Sequence, residues 1–252
     1  MAQKIALITG GSRGLGKSTA LHLAQKGVDV IITYLSRADD ANAVVSEIEN
    51  QGRKAVALQL DTGSTQQFSD FAQELANALQ EKWGQKTFDF LVNNAGIGIS
   101  KPFVETTEEE FDVLMNMHFK GVYFLTKKML PLLQDGGRIV NLSTGLARFS
   151  MPGFSAYGAM KGAVEVLTRY MALELGSRRI AVNAVAPGAI ETDFGGGVVR
   201  DNPEINQFVA STTAMGRAGL PNDIGGAISS LLIGDNQWMT AQRLEVSGGQ
   251  NL

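Results

Sequence analysis

The chain has no cysteine among its 252 residues, which excludes disulfide bonds and thiolate metal sites. Histidine is nearly as scarce, and with only His22 and His118 a zinc site held by imidazoles is not expected. Long apolar runs are missing too, so no segment has the length of a membrane-spanning helix. The first ten residues carry an apolar run of five and no signal-peptide pattern, and we therefore expect a cytoplasmic protein without a metal site.

An excess of charge of one sign is also absent. The 22 Lys and Arg residues against 25 Asp and Glu give a formal net charge of -3, which provides no electrostatic footprint for nucleic acid or an anionic membrane. Hydrophobic residues make up 44% of the sequence, enough for a sizeable core. This length and composition favour one α/β domain over residues 1–252.

Short β-rich runs alternate with longer segments of helical periodicity. The runs cover residues 5–9, 28–33, 55–60, 88–92, 138–142, 180–185 and 243–246. Such alternation is typical of a doubly wound, Rossmann-like parallel sheet, here of about seven strands, with helices on both faces. Ligands bind at the carboxyl ends of the strands in such sheets, so the residues after each run are candidates for the site.

A glycine-rich turn, TGGSRGLG at residues 9–16, follows the first run and opens a helical segment. Its glycines allow a tight turn and a close approach of the backbone to a diphosphate, and the helix start offers free N–H groups to the anion. Because the turn stands between a strand and a helix, the pattern favours a nucleotide site over a purely structural turn.

Tyr157 and Lys161 lie four residues apart in a segment of helical periodicity, so both project from one face of one helix. A cation close to a phenol favours phenolate, which predicts a tyrosine pKa drawn toward the working pH and suited to proton exchange with a substrate oxygen. An ordinary amphipathic helix with a surface lysine has the same spacing, so the pair alone does not decide.

The glycine turn, NNAG at 93–96 and YxxxK at 157–161 together resemble the short-chain dehydrogenase/reductase family over nearly the whole chain. PGAIET at 187–192, GRAGLPNDI at 216–224 and VSGG at 246–249 continue the resemblance. The family implies reversible hydride transfer between a nicotinamide cofactor and a carbonyl/alcohol pair. On this resemblance Tyr157 is the proton donor, and Lys161 holds the nicotinamide ribose and acidifies Tyr157.

The resemblance also implies a cofactor site. Asn93 and Ala95-Gly96 would lie beside the adenosine ribose, Asp61 would accept from the adenine amino group, and residues 187–192 would fix the carboxamide. The complete implied set is Gly10, Ser12, Arg13, Gly14, Leu15, Gly16, Tyr34, Ser36, Arg37, Asp61, Thr62, Asn93, Ala95, Gly96, Tyr157, Lys161, Pro187, Gly188, Ile190 and Thr192.

Two positions depart from the family's pattern. The catalytic serine normally stands thirteen residues before the tyrosine, where this chain has Thr144; Ser143 is the adjacent alternative, but neighbours on a strand face opposite sides, and the spacing favours Thr144. The family's structural asparagine, which helps to hold a proton-relay water, falls on His118. The hypothesis is a relay that includes a histidine able to titrate near neutral pH, and the alternative is a packed histidine with a weakened relay.

The end of the second run bears on the choice of cofactor. NAD-preferring members usually carry an acid at the position of Tyr34, whereas this chain offers Arg13, Ser36 and Arg37 nearby. Two guanidiniums and a hydroxyl can surround a 2'-phosphate, so we expect NADPH, as NADP(H), in preference to NADH.

The expected substrate is a hydrophobic ketone or aldehyde, because the apolar residues near the motifs suit it better than a sugar: Phe149, Met151, Phe154, Phe194, Val198, Val199 and Met215. Residues 193–215 are expected to form a substrate lid, with Gly195, Gly196 and Gly197 as a hinge or a disordered loop.

The alternatives are a 3-oxoacyl-[acyl-carrier-protein] reductase, with Lys127, Lys128, Arg178 and Arg179 as a docking patch, and a non-enzymatic NADP-sensing protein. By resemblance, a homotetramer is expected.

Overall fold

Seven short runs rich in aliphatic residues pair into one parallel sheet in the computed structural model, which describes residues 3–252. The strands are β1 (Ile5–Ile8), β2 (Asp29–Tyr34), β3 (Ala55–Gln59), β4 (Phe88–Asn93), β5 (Leu133–Leu142), β6 (Ala181–Pro187) and β7 (Arg243–Val246). Their spatial order is β3-β2-β1-β4-β5-β6-β7. The predicted Rossmann-like α/β class is confirmed.

Nine α-helices are described within residues 3–252. They are α1 (Gly14–Gln25), α2 (Ala38–Asn50), α3 (Phe68–Trp83), α4 (Glu108–Met115), α5 (Gly121–Met129), α6 (Ser155–Glu174), α7 (Val198–Asp201), α8 (Pro203–Ser211) and α9 (Pro221–Ile233). A π-helical turn, Asn116–Lys120, joins α4 directly to α5. None of the helices in this range is both long and apolar enough to cross a membrane.

Alternate residues of β1 face opposite sides of the sheet. Ala6 and Ile8 lie in a core with buried residues of α1, α2 and α9, whereas Ile5 and Leu7 lie in a second core with residues of α3, α5 and α6. All four are fully buried. Burial on both faces explains why the run is continuously apolar instead of alternating.

The chain turns to opposite sides of β1 to form β2 and β4, so the sheet order reverses there. Ile8 pairs with Ile32 of β2 on one side and with Val92 of β4 on the other. The loops after β1 and β4 are the glycine turn and NNAG, and both lie at the carboxyl edge of the sheet, where folds of this type have their ligand crevice.

The fifth strand differs from the prediction. β5 begins at Leu133, before the predicted run at 138, and its pairing with β4 shifts register between Phe88 and Phe90. Gly136, with φ of +77°, supplies the left-handed backbone of this irregular part. The regular part of β5 coincides with the predicted run.

Candidate active site

Tyr157 lies in the first turn of α6, and its side chain is buried. Thr144 comes two residues after the end of β5, where its hydroxyl accepts from Leu146 N at 3.3 Å and lies near enough to the Tyr157 phenol to lower the pKa of that phenol. The end of β5 and the start of α6 therefore bring together two hydroxyls that the sequence places thirteen residues apart.

Lys161 lies one turn further along α6 and is 4% exposed. Its Nζ donates to the Leu142 carbonyl oxygen at 2.7 Å and lies 5.8 Å from the centre of the Tyr157 ring. Burial lowers the pKa of Lys161 to about 7. The ammonium is thus anchored to the last residue of β5 and lies beside the phenol ring.

The pKa of Tyr157 does not follow the simple expectation from the Tyr-Lys spacing. Burial raises the pKa of Tyr157 well above the ordinary value for a phenol, and the interaction with Thr144 lowers it by a smaller amount. The expected depression of this pKa by Lys161 is wrong, because burial sets the direction and Thr144, not Lys161, is the group that lowers it. The phenol keeps its proton at neutral pH, as a proton donor to a carbonyl must.

Ser143 faces away from Tyr157. Its backbone N–H donates to Val185 O at 2.7 Å, and its hydroxyl donates to Glu165 Oε1 at 2.5 Å. The structure therefore brings only Thr144 to the phenol, and the alternative that Ser143 serves there is not supported.

His118 lies in the π-helical turn and is 1% exposed. Its Nε2 contacts Ile97 O at 2.7 Å, closer than Ile97 N at 3.3 Å, so Nε2 carries the proton. Among residues 3–252, Nδ1 has no hydrogen-bond partner although it is buried. The imidazole meets the Tyr157 ring edge-on, with 5.1 Å between centroids.

The charge state of His118 is also fixed by its surroundings. Burial, with the Lys161 charge as the second cause, lowers the pKa of His118 to about 3, although the bond to Ile97 acts in the opposite direction. The expected titration near neutral pH is therefore wrong. The imidazole is neutral, with a free acceptor nitrogen in the wall beside Tyr157.

The glycine turn holds its shape through close backbone approaches. Gly10 and Gly14 have φ of +65° and +56°, and a Cβ on Gly16 would collide with the Gly10 carbonyl oxygen. α1 begins at Gly14 with no side-chain cap and no acidic residue in its first turn. Its N–H groups are therefore left open to an anion.

Asn94 is a residue of this crevice that the sequence analysis missed. Its Nδ2 donates to Thr9 O at 2.8 Å and to Gly10 O at 3.1 Å, while Thr9 Oγ1 accepts from the N–H groups of Asn94 and Ala95. These bonds lock NNAG to the glycine turn. The second asparagine of the motif was a signal that could have identified it.

Asn93, in contrast, points into the protein interior. Its Nδ2 donates to Asn141 Oδ1 at 2.8 Å and to Thr126 Oγ1 at 3.0 Å, and it is 4% exposed. Its side chain holds the sheet against α5. Any contact of Asn93 with a ribose would therefore have to come from its backbone.

The residues expected around the adenosine end lie at the carboxyl ends of β2 and β3. Tyr34 ends β2 and Ser36 is exposed just beyond it. Asp61 follows β3, where its Oδ1 accepts from Gly63 N at 2.8 Å, and the neighbouring Thr62 hydroxyl donates to Met117 Sδ at 2.9 Å. These contacts shape the turn after β3.

The two arginines expected at a 2'-phosphate are engaged with different carboxylates. Arg13 donates to Asp193 Oδ2 at 3.1 Å, and Arg37 donates to Asp40 Oδ2 at 3.3 Å. Both guanidiniums are about half exposed, so these pairs are weak. Either arginine can exchange its carboxylate for a phosphate.

The turn after β6 is fixed by the chain's last residues. Gly188 N donates to Val246 O at 3.2 Å, and Ala189 N donates to Gln250 Oε1 at 2.9 Å. Ile190 forms a parallel bridge with Gly219, and Thr192 faces Gly14 of the glycine turn. The turn that begins at Pro187 therefore lies across the crevice from the start of α1.

The segment expected to be a lid is folded, with α7 and α8 in it. Gly195, Gly196 and Gly197 all have positive φ, which glycine adopts without strain, and their role as a hinge stays a prediction. Phe194 lies 5.7 Å from the Tyr157 ring, between ring centroids. Gly98 leaves room for it, because a Cβ there would approach the Phe194 ring to 2.8 Å.

Comparison with known proteins decides the family. The profile of a protein family described as Enoyl-(Acyl carrier protein) reductase matches residues 10–251, nearly the whole chain. The chain belongs to the short-chain dehydrogenase/reductase family. The resemblance of the sequence motifs is thereby confirmed.

Three similar proteins are named as reductases or as reductase-like. A hydroxynaphthalene reductase-like protein, Arp2 of Metarhizium brunneum, is 35% identical over 99% of this chain and 95% of its own. The promiscuous reductase LugOII, which catalyses keto-reduction at C1 during lugdunomycin biosynthesis, is 34% identical, with a TM-score of 0.94 over 100% of this chain and 99% of its own. The angucycline C-6 ketoreductase LanV, solved with bound NADP, has a TM-score of 0.93 and 34% identity over 98% of this chain and 95% of its own.

The crevice of this family member fits a nicotinamide dinucleotide. The uncapped start of α1 suits the diphosphate, and Gly16 lets the turn close tightly, because a Cβ there would collide with the Gly10 carbonyl oxygen and the Asn94 side chain. Lys161 lies beside the Tyr157 ring, and the turn from Pro187 to Thr192 reaches the start of α1, where Thr192 faces Gly14. Within residues 3–252, no cluster of acidic and imidazole side chains is placed to hold a metal ion.

Proposed function

We propose that the protein is an NADPH-dependent ketoreductase that reduces a ketone on a hydrophobic, aromatic ring system. The observation that carries the proposal is the cluster of Thr144, Tyr157 and Lys161 under the Phe194 ring. It combines two hydroxyls for a carbonyl oxygen with an apolar wall, beside a crevice suited to a dinucleotide.

Thr144 and Tyr157 would both donate to the carbonyl oxygen of the substrate. A bound nicotinamide supplies the hydride to the carbonyl carbon. As negative charge develops on the oxygen, Tyr157 gives up its proton, which burial holds firmly until that point. Thr144 remains to stabilise the phenolate that is left.

Lys161 would hold the cofactor and the phenolate in place and would not itself transfer a proton. It donates to Leu142 O, which fixes its ammonium beside the Tyr157 ring. With a pKa lowered to about 7, Lys161 changes charge readily near neutral pH. A ribose hydroxyl and the Tyr157 phenolate are the groups that its positive form would bind.

The aromatic substrate class is supported by the lining and by the relatives. The Phe194 ring lies 5.7 Å from the Tyr157 ring, between centroids, and Phe154, Leu146, Ile97 and Ile99 pack against the small core that contains Tyr157. Such a surface offers ring stacking and few hydrogen bonds. One relative is named a hydroxynaphthalene reductase-like protein and another an angucycline C-6 ketoreductase, and these names favour a substrate with fused rings.

A substrate panel tests this proposal directly. NADPH oxidation is followed with fused-ring ketones, acyclic aliphatic ketones and an acetoacetyl thioester at equal concentrations. We expect the highest kcat/KM for the fused-ring compounds. The Phe194→Ala variant should lose this preference while its activity on small aliphatic ketones changes little; equal rates on all three classes would contradict the aromatic assignment.

The alternative function, a 3-oxoacyl-[acyl-carrier-protein] reductase, is weakened because one arginine of its expected docking patch is already engaged within the protein. Arg178 donates to Asp135 Oδ1 at 2.6 Å and to the carbonyls of Leu130 and Leu133. It therefore fastens the start of β5 and is not available to an acidic partner. The binding-only alternative predicts cofactor binding without turnover of any ketone.

A further inference from the structure

One ridge of α6 carries three functional side chains at four-residue intervals: Tyr157, Lys161 and Glu165. This spacing stacks them on successive turns. Lys161 holds the Leu142 carbonyl, and Glu165 accepts the hydroxyl of Ser143. Helix α6, which carries Tyr157, is therefore hydrogen-bonded to Leu142 and Ser143, the two residues immediately before Thr144.

Arg243, the first residue of β7, reaches the same segment from the other side. Its Nη2 donates to the Thr144 carbonyl oxygen at 3.2 Å, and its Nε donates to Glu165 Oε1 at 2.6 Å. The side chains of Arg243 and Glu165 are only 23% and 14% exposed. This pair is therefore better shielded from water than the ion pairs of the lid.

A second ion pair fixes Arg243 in turn. Its Nη1 donates to Glu245 Oε2 at 2.8 Å, and Arg148 binds both oxygens of Glu245 at 2.8 and 2.7 Å. Arg148 also donates to the carbonyl of Gln250, whose side chain accepts from Ala189 N. One continuous network therefore joins the end of β5 to the turn after β6.

We propose that Glu165 and Arg243 are positioning residues that hold the Thr144 hydroxyl against Tyr157. Threonine has a restricted χ1, so the direction of its hydroxyl follows its backbone. Arg243 fixes that backbone at the Thr144 carbonyl, and Glu165 fixes the residue before it. The inference rests on the proposed function, in which the Thr144 hydroxyl binds the substrate oxygen.

Ser143 receives its role from the same network. Its hydroxyl anchors the strand end to α6, although it stands next to the residue that reaches the phenol. The β-alternation that turns Thr144 toward Tyr157 turns Ser143 toward Glu165. Adjacent hydroxyls are thus divided between holding the substrate oxygen and holding the backbone.

A double-mutant cycle tests the inference. Arg243→Lys keeps the charge but loses the planar fork that spans Glu165 and the Thr144 carbonyl, and Thr144→Val removes the hydroxyl at nearly constant volume. We expect Arg243→Lys to lower kcat about tenfold with little change in KM, as small misplacements of reacting groups do. In the Thr144→Val background, Arg243→Lys should lower kcat less than about twofold, because the hydroxyl that Arg243 positions is no longer present.

The kcat values distinguish a failure of the proposed function from a failure of the positioning inference. If Thr144→Val alone leaves kcat unchanged, the proposed role of Thr144 fails. If Thr144→Val lowers kcat but Arg243→Lys is equally harmful in both backgrounds, or harmless in both, the positioning inference is overturned while the proposed function stands. Glu165→Gln repeats the cycle should Arg243→Lys not fold, as judged by thermal unfolding. Glu49→Gln, in the exposed pair with Lys82, is the matched control and should leave kcat unchanged.

Discussion

At the scale of single residues, the site works through opposing effects on one phenol. Burial raises the pKa of Tyr157, and the Thr144 hydroxyl lowers it. In the proposed mechanism desolvation, the larger effect, keeps the proton on Tyr157 until negative charge develops on the substrate oxygen. Thr144 would then stabilise the buried phenolate that remains.

Removing the Thr144 hydroxyl should shift the pH profile. Alcohol oxidation by NADP⁺ requires the phenolate form of Tyr157 and therefore rises with pH through its pKa. Because the raised pKa of Tyr157 lies above the pH range of the assay, the rate should climb with pH without a plateau. Since Thr144 lowers that pKa, Thr144→Val should displace this climb to higher pH, so that kcat at each pH falls about a hundredfold. Rates measured across pH check this, with Thr87→Val, at an exposed threonine bonded to Gln134, as the control. An unmoved profile would show that Thr144 does not act on the phenol.

His118 should make the folded protein sensitive to acid. Its pKa is about 3 in the fold and about 6.5 when unfolded, so the unfolded chain binds the proton first as pH falls. Stability should therefore fall by about 1.4 kcal/mol per pH unit from this group as pH drops below 6.5 toward 3. Urea unfolding at pH 7 and pH 5 should show a smaller loss in His118→Asn than in the parent.

The same variant tests the relay hypothesis. If the free Nδ1 of His118 holds a water in the proton path, His118→Asn should change the rate or its pH dependence. An unchanged rate and pH profile would leave His118 with a packing role only.

At the scale of elements, local patterns predict the sheet and the turns, and tertiary contacts decide the rest. The β-rich runs and the glycine turn are visible in the sequence because burial and φ limits restrict their residues locally. Spacing along the chain also favours Thr144 over Ser143 at the phenol. The contacts of Ser143 with Glu165 and of Thr144 with Arg243, and the neutral state of His118, depend on tertiary packing and burial that the sequence pattern does not predict.

The first residue of the lid meets the glycine turn through a shared arginine. Asp193 accepts from Arg13 and, at 2.6 Å, from Arg200. Arg200 also binds both oxygens of Asp201 at 2.7 Å. If Arg13 binds the 2'-phosphate of NADPH, Asp193 is an internal competitor for the same guanidinium.

Cofactor titrations test this competition. Arg13→Ala should weaken NADPH binding about tenfold and leave NADH binding nearly unchanged, because only NADPH carries the phosphate. Asp193→Asn should tighten NADPH binding about two- to fivefold, as expected for release of an exposed ion pair. Fluorescence titration gives both dissociation constants, with Asp201→Asn as the control that keeps the pair of Arg13 with Asp193. Equal affinity of the parent for NADH and NADPH would contradict the roles of Arg13 and Arg37.

At the scale of the whole molecule, α5 and α6 keep apolar side chains on the surface. These are Tyr123, Phe124, Val166, Tyr170 and Leu173, each at least 42% exposed. Exposed apolar side chains concentrated on two helices are typical of association surfaces. The homotetramer expected from the family resemblance stays a prediction that these faces support.

Light scattering in solution tests the assembly. We expect about four times the mass of one chain for the parent and a smaller species for Tyr170→Asp, because a buried unpaired carboxylate disfavours association. Leu35→Asp, on an exposed residue beyond β2, should not change the mass. A monomeric parent would contradict the prediction.

The central claim is that the Tyr157 phenol donates the proton, and Tyr157→Phe tests it most directly. The substitution removes one oxygen from a buried ring that Phe194 and His118 already pack against. Ketone reduction should fall by about three orders of magnitude while NADPH binding, measured by fluorescence, stays within about twofold of the parent. Retention of the parental rate of ketone reduction by Tyr157→Phe would contradict the assignment of this phenol as the proton donor.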